Sequence, residues 1–337
     1  MPDIFYYETG STRAPYNLAL EEVLATAVGG GLDGCFLLWQ NSPAVIIGRY
    51  QNAMSEVNLP ELKTRGVDLV RRMTGGGAVY HDLGNLNFSF ILPQSGGQKY
   101  RTAEMLAPLI EYYDKAFGLK VVMEGRNDLT VPGRGKFSGL AGRRLPGGWQ
   151  LHGTLLYDVD LSVLEKVLLV DPAKYRSKGV ASVRTRVVNL KPLINVPLAD
   201  MWAGIGDAYG YQASELPAEL AAKASELSRA KYSQTSWNVG QSPPGDVTLK
   251  SRFPFGSLEL RLSVRKNVVV EAALTGDFLT PSDLPEPISV DVLAAALLGL
   301  PADDQEKWAR AWGVVELGKV FGGQVDQEEI LAWLRGA

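Results

Sequence analysis

The apolar positions of this chain recur with a helical period in some stretches and alternate in others, and the changes of period outline its elements. Residues 17–28, NLALEEVLATAV, carry apolar side chains at helical spacing and stop at Gly29-Gly30-Gly31, the pattern of an amphipathic helix ended by glycines. FLLWQ (36–40) and AVIIG (44–48) are short apolar runs split by Asn41-Ser42-Pro43 and read as two strands joined by a tight turn. A short helix over 59–65 leads into the strand VDLVRR (67–72). Residues 78–81 and 85–92 read as a hairpin around Asp82-Leu83-Gly84, with Leu86, Phe88 and Phe90 alternating with Asn87 and Ser89. A helix over 102–117 is followed by strands near 120–123, 128–131, 136–144 and 149–157, then helices near 162–168, 197–209 and 217–230.

Periodicity lapses at GQSPPGD (240–246), where Pro, Gly and Ser cluster as in a linker. Two alternating strands follow (256–264, 267–275), then helices near 289–299, 303–311 and 326–335. Charge shifts at the same place: residues 252–337 carry 8 basic and 13 acidic side chains, residues 1–251 carry 26 and 24. These patterns predict an α+β protein with a large domain over 1–245 and a small acidic α+β domain over 252–337.

Composition narrows the chemistry. With 46% apolar and 21% charged residues the 337-residue chain can bury a sizeable core. A net charge of −3 gives no global pull toward nucleic acid or anionic membrane. The single cysteine, Cys35, excludes an internal disulfide, and with only two histidines, His81 and His152, a Cys- or His-rich metal site is excluded too. The N-terminus has neither the basic nor the apolar region of a signal peptide, and the longest uncharged apolar run, Val292 to Leu300, is far short of a membrane span. A cytoplasmic protein is expected.

Gly29, Gly31 and Gly34 match G-x-G-x-x-G, but a helix precedes them and a strand follows, the reverse of a dinucleotide site. Neither a P-loop nor a G-x-S-x-G elbow occurs. The strongest motif is RRMTGGGAVYHDLGN (71–85), a strand that ends in Arg71-Arg72 and runs through Gly75, Gly76 and Gly77 into Ala78-Val79-Tyr80-His81. Consecutive glycines can turn their N–H groups toward one anion, and a flanking arginine can grip phosphate oxygens; the same glycines would also serve a bulged hairpin. GRNDL (125–129) and GKFSG (135–139) place Asn127, Asp128 and Lys136 among small residues. Residues 126–144 carry five basic side chains and one acidic, and 174–191 carry six basic and no acidic ones, which fits a solvated basic face as well as a site. His152 opens the run HGTLLYDVDL, where a structural hydrogen bond and a site role are both open.

Taken in order, NLALEE, FLLWQNSPAVIIGRYQN, RRMTGGGAVYHDLGN, GRNDL, GKFSG, HGTLLYDVDL, KGVASVRTRVVNL and, beyond the linker, RFPFGSLEL resemble the lipoate–protein ligase A family from about residue 6 to the C-terminus. The resemblance implies the biotin/lipoate ligase fold with a small α+β accessory domain. It implies activation of lipoate by ATP and Mg²⁺ to lipoyl-adenylate, and transfer to one lysine of a carrier, either a lipoyl domain of a 2-oxoacid dehydrogenase E2 subunit or the glycine-cleavage H protein. It assigns Lys136 to the lipoate carboxyl and the phosphate. ATP and adenylate would be cradled by Arg72, Gly75, Gly76, Gly77, Ala78, Val79 and Tyr80, with Asn127 and Asp128 toward phosphate-borne Mg²⁺ and Ser182 and Arg184 on a closing loop. Trp39 would stand at the far end of the lipoyl tunnel, with His81 and His152 along it. Arg143, Arg144, Lys174 and Arg176 remain as candidates to steer an acidic carrier. A monomer is expected.

Two other readings compete. An ATP-independent acyltransferase of related fold would need a catalytic cysteine, and Cys35 lies outside the site motifs; a non-catalytic binding protein would not need Lys136.

Overall fold

The computed structural model describes residues 3–93, 101–125, 127–169, 187–240, 245–281, 284, 287–322 and 324–336. An eight-stranded mixed sheet in the order β11-β1-β2-β6-β10-β9-β8-β7 forms the frame. Its strands are β1 (Ile4–Glu8), β2 (Gly34–Trp39), β6 (Asn85–Pro93), β7 (Val122–Glu124), β8 (Asp128–Val131), β9 (Gly135–Leu145), β10 (Gly148–Leu156) and β11 (Gln212–Ala213). A three-stranded sheet, β4 (Asp68–Arg71), β3 (Ala44–Ile47) and β5 (Val79–His81), stands beside it. A second three-stranded sheet, β12 (Val247–Phe253), β13 (Gly256–Arg265) and β14 (Val268–Gly276), carries the C-terminal part.

Alternation along β2 and β6 sorts two faces, both buried. Phe36, Leu38, Phe88 and Phe90 join the core with Leu106, Leu109 and Tyr113 of the helix Thr102–Phe117 and Met201 and Ile205 of the helix Leu198–Tyr209. Cys35, Leu37, Trp39 and Ile91 pack with Leu18, Leu20 and Leu24 of helix α1 (Ala14–Gly29). The polar residues on this second face, Asn85, Asn87 and Ser89, are as buried as their apolar neighbours.

Two expected hairpins are not hairpins. β2 and β3 follow one another in sequence but enter different sheets, β2 between β1 and β6 and β3 between β4 and β5. β5 and β6 part in the same way. Strand period and turn residues mark where strands are, and they say nothing about which edge each strand reaches. β12, which the sequence reading leaves unassigned, follows the linker and pairs with β13 along its whole length from Val247.

The C-terminal sheet packs with Trp308, Trp312 and Phe321 into its own core, and it touches the large sheet's unit at defined points. The Phe278 ring stacks on Tyr50 with centroids 5.1 Å apart, Gly276 N–H donates to the Tyr50 carbonyl at 2.9 Å, and Arg144 Nε donates to the Leu284 carbonyl at 2.9 Å. Among the described residues no helix is long and apolar enough to cross a membrane.

Candidate active site

A cavity of about 330 Å³ opens over the centre of the large sheet, and its lining joins the sequence motifs. The floor is a cross-strand row. Trp39 of β2 is paired with Asn87 of β6, Asn87 with Thr154 of β10, and Thr154 Oγ accepts from the Gly139 N–H of β9 at 3.2 Å. Three interstrand steps separate β2 from β9, about 14 Å at ~4.8 Å each.

The β9 end is polar. Lys136 stands at the second position of β9, where the pairing with β8 is broken by a bulge at Leu129/Thr130. Its ammonium lies 2.6 Å from Asp128 Oδ1. It folds over Gly139, where a β-carbon would come within 2.9 Å of Nζ and 3.2 Å of Cε. The glycine of GKFSG is therefore the floor under the lysine head. Asn127 is tied to β9 by Nδ2, which donates to the Leu140 carbonyl at 2.9 Å, and by its own carbonyl, which accepts from the Leu140 N–H at 2.8 Å. Among the described residues no group of three or more His, Cys, Asp or Glu could hold a metal by itself. A magnesium ion carried on substrate phosphates would need only one or two carboxylates from the protein; Asp128 is a carboxylate at this end of the cavity.

The opposite end is closed by Trp39, with Leu18, Ile46 and Val79 among the lining and the His81 ring edge-on to Trp39 at 6.2 Å. His81 is 3% exposed, and burial, with Arg72 and His152 nearby, pushes its pKa down to about 3. The imidazole is neutral throughout the physiological range.

Along one wall runs a buried polar chain. Trp39 Nε1 donates to Ser89 Oγ at 2.9 Å, Ser89 Oγ donates to Glu21 Oε1 at 2.6 Å, and Glu21 faces His152 Nδ1 at 2.9 Å. His152 Nε2 meets Thr74 Oγ at 2.8 Å, and Arg72 Nε donates to the same hydroxyl at 3.0 Å. Burial alone would push the Glu21 carboxyl up. His152 facing it, with hydrogen bonds from His152, Ser89 and Gln150, outweighs that and holds it below the usual range. An ionised Glu21 can only accept, so His152 Nδ1 donates to it, while Nε2 meets the Thr74 hydroxyl that also accepts from Arg72.

The two arginines of the motif have different partners. Arg71 is fully buried and donates to the carbonyls of Gly48, Arg49, Gln51, Trp237 and Asn238. Arg72 lines the cavity, but its guanidinium is spent on the Ile46, Gly75 and Gly77 carbonyls and on Thr74. It shapes the glycine loop from beneath. Burial lowers both arginines to about 10, so both remain charged.

The glycine loop is also not free. Gly76 has φ +89° and its carbonyl lies 2.0 Å from where a β-carbon on Gly48 would be. Its N–H donates to the Phe278 carbonyl at 2.8 Å, so the C-terminal unit occupies one of the N–H groups expected to face an anion. Leu279, Asp277 and Arg252 of that unit line the same cavity as Gly77, Ala78 and Tyr80.

Ser182 and Arg184 lie outside the described residues, as do Lys174 and Arg176. Arg143 and Arg144 are not open surface charges: Arg143 Nε donates to Gln150 at 2.8 Å, burial lowers its pKa, and Arg144 holds Leu284. Sequence reasoning passed over Glu21, Thr74 and Asn41. A signal existed for the first: Asn17 and Glu21 sit four residues apart on the buried side of α1, where the helical period calls for apolar side chains.

Comparison with known proteins covers both units of the chain. Residues 13–207 match the family model for the lipoyl protein ligase A/B catalytic domain, and residues 242–334 that for the bacterial lipoate protein ligase C-terminus. The chain is 32% identical to lipoate–protein ligase 1 of Staphylococcus aureus over 97% of its own length and 98% of the relative's. Among solved structures it is similar to a bipartite lipoate protein ligase of Thermoplasma acidophilum, described with its E2 lipoyl domain, at 29% identity and TM-score 0.60, covering 73% of this chain and 98% of that one. A lipoate–protein ligase A bound with ATP is similar at 26% identity and TM-score 0.59, covering 71% and 98%.

Proposed function

This chain belongs to the lipoate–protein ligase family, an ATP-dependent ligase family, and on that premise we propose that the described cavity makes lipoyl-adenylate and hands the acyl group to a lipoyl-domain lysine. The observation that carries the reading is the polarity of the cavity, a lysine head over Gly139 at one end and Trp39 about three strands away at the other. An acid with an apolar tail lies along that row in one direction only, carboxylate to Lys136.

In the first step a lipoate carboxylate oxygen attacks the α-phosphorus of ATP, and pyrophosphate leaves. Lys136 stands where negative charge gathers on both reactants. It acts as a fixed cation, worth the most in a site closed to water. Asp128 fixes the ammonium and is the carboxylate that would meet Mg²⁺, which when bound would neutralise further phosphate charge. Arg72 and Thr74 set the loop Gly75–Tyr80 around the nucleotide. Ser182 and Arg184 are assigned to the closing loop by resemblance. In the second step the uncharged amine of the carrier lysine attacks the acyl carbon, an amide forms and AMP leaves.

The carriers proposed are lipoyl domains of 2-oxoacid dehydrogenase E2 subunits and the glycine-cleavage H protein, in line with the E2 lipoyl domain that accompanies the T. acidophilum relative. Transfer through a cysteine is disfavoured: Cys35 is fully buried on β2 and absent from the cavity lining, and burial pushes its thiol up to about 12. The test is intact-mass analysis of a lipoyl domain incubated with this protein, ATP, Mg²⁺ and lipoate. One lipoyl adduct that needs ATP supports the reading; an acceptor that stays unmodified contradicts it.

A further inference from the structure

Among the described residues, three lysine or arginine side chains line the cavity: Arg72, Lys136 and Arg252. The guanidinium of Arg72 is spent on loop carbonyls and on Thr74, and Lys136 stands where the carboxylate and the α-phosphate meet. ATP brings two further phosphates, those that leave as pyrophosphate. Arg252 is the cation that remains for them, and it belongs to the C-terminal unit. Its place is set by the backbone. Arg252 is the next-to-last residue of β12 and lies opposite Ser257 of β13. Ser257 in turn fixes Asp277, since its N–H and its hydroxyl both donate to Asp277 Oδ1 at 2.7 Å. The residues on either side of Asp277 are the ones that tie this unit to the large one: the Gly276 N–H donates to the Tyr50 carbonyl, and the Phe278 carbonyl accepts from the Gly76 N–H. Arg252 and Asp277 are thus held beside the glycine loop.

The two members of this pair are held unequally. The Asp277 side chain is 11% exposed and clamped by Ser257, whereas that of Arg252 is 34% exposed, and its Nη1 lies 3.7 Å from Asp277 Oδ2, an ion-pair distance too long for a hydrogen bond. A polyphosphate offers more charge than one carboxylate and oxygens spaced to match the guanidinium fork. We propose that Arg252 reaches from the C-terminal unit to the β- and γ-phosphates of ATP and is a catalytic residue of the adenylation step alone. The inference rests on the ligase reading above. As the lipoate carboxylate oxygen bonds to the α-phosphorus, the bond from that phosphorus to the bridging oxygen breaks, and its electron pair leaves with pyrophosphate. Arg252 exchanges Asp277 for the oxygens on which that charge collects. Its long side chain lets it keep them while the Gly76 N–H changes partner. The second step contains no pyrophosphate, so Arg252 has no anion to hold there and returns to Asp277.

Two assays on the full chain separate the steps: lipoate-dependent ATP–pyrophosphate exchange, and transfer from synthetic lipoyl-adenylate to a lipoyl domain with ATP omitted. Arg252→Ala should lower kcat/KM for ATP in exchange by roughly 10- to 100-fold, the worth of a hydrogen bond between charged groups. The KM for lipoate and the transfer from supplied adenylate should stay at their wild-type values. Arg252→Lys, which keeps a point charge without the fork, should recover part of the loss. Asp277→Asn distinguishes a phosphate contact from a mere tie within the C-terminal unit. If Arg252 serves the phosphates, this variant removes a competitor and uses ATP at least as well as the wild type; if the pair is only a tie, it loses as much as Arg252→Ala. Wild-type ATP dependence in Arg252→Ala, an equal loss in both assays, or an Asp277→Asn loss that matches Arg252→Ala would overturn the inference. Should Arg252→Ala fail to fold, the ATP dependence of Arg252→Lys and of Asp277→Asn decides it by the same criteria. A wild-type protein that neither exchanges nor transfers would instead defeat the ligase reading, whatever Arg252 does.

Discussion

The Lys136 head occupies the space that a side chain at Gly139 would need: a β-carbon at position 139 would sit 2.9 Å from Nζ. The neighbour that would have to move is the end of a flexible side chain, so Gly139→Ala should fold normally and misplace only the ammonium. Adenylate formation should fall by roughly 10²-fold, the cost of about 1 Å of misplacement, while stability changes by ~1 kcal/mol or less. Denaturation curves and pyrophosphate exchange on the same preparation check both halves.

Glu21→Gln removes the charge at the centre of the Ser89–Glu21–His152 chain. The native carboxyl titrates below its ordinary value of 4.5, so its contribution to stability is present above that pH and is lost as pH falls through the lower, folded-state value. The wild type should therefore be more stable than Glu21→Gln near neutrality, by about 3 kcal/mol for a buried pair broken on one side. The gap should close under acid conditions. Urea midpoints of both proteins across the acid range would show a constant gap if Glu21 were not ionised.

Trp39→Val should open the apolar end of the cavity. It deletes a large buried ring and one bond to Ser89, at a stability cost of about 3 kcal/mol. Carboxylic acids with bulkier tails than lipoate should then support pyrophosphate exchange while ATP dependence is unchanged. Continued exclusion of bulky acids by a folded variant would leave Trp39 as core only.

The Gly76 N–H now held by the Phe278 carbonyl should be released when nucleotide binds, because a phosphate oxygen and that carbonyl compete for one donor. With it the stacking of Tyr50 on Phe278 should loosen and the C-terminal unit shift. Small-angle scattering of the free protein and of the protein with ATP, Mg²⁺ and lipoate should differ. Identical profiles would mean the nucleotide is bound without this exchange.

Most strands, the main helices and the residues around Lys136 were legible because local period and small-residue spacing report on local geometry, while β1, β11 and β12 were not read. What could not be read was which sheet a strand enters: β3 parts from β2, β5 parts from β6, and the two pair with each other, a long-range choice. The wall of the site was hidden for a related reason. Asn87 and Ser89 alternate with Leu86 and Phe88 as on a half-exposed strand, yet both faces of β6 are buried and the polar face meets Trp39 and Glu21. Arg72 illustrates the limit from the other side: its motif suggested phosphate but not that its guanidinium holds loop carbonyls. Type and position in sequence gave the charge but not the partner.

The most direct test of the whole account is lipoate-dependent ATP–pyrophosphate exchange in the wild type and in Lys136→Ala. The wild type should exchange only when lipoate is present, and the folded variant should lose at least about 10²-fold, some 3 kcal/mol of transition-state stabilisation. Exchange that ignores lipoate, or a folded Lys136→Ala that exchanges at the wild-type rate, would contradict it.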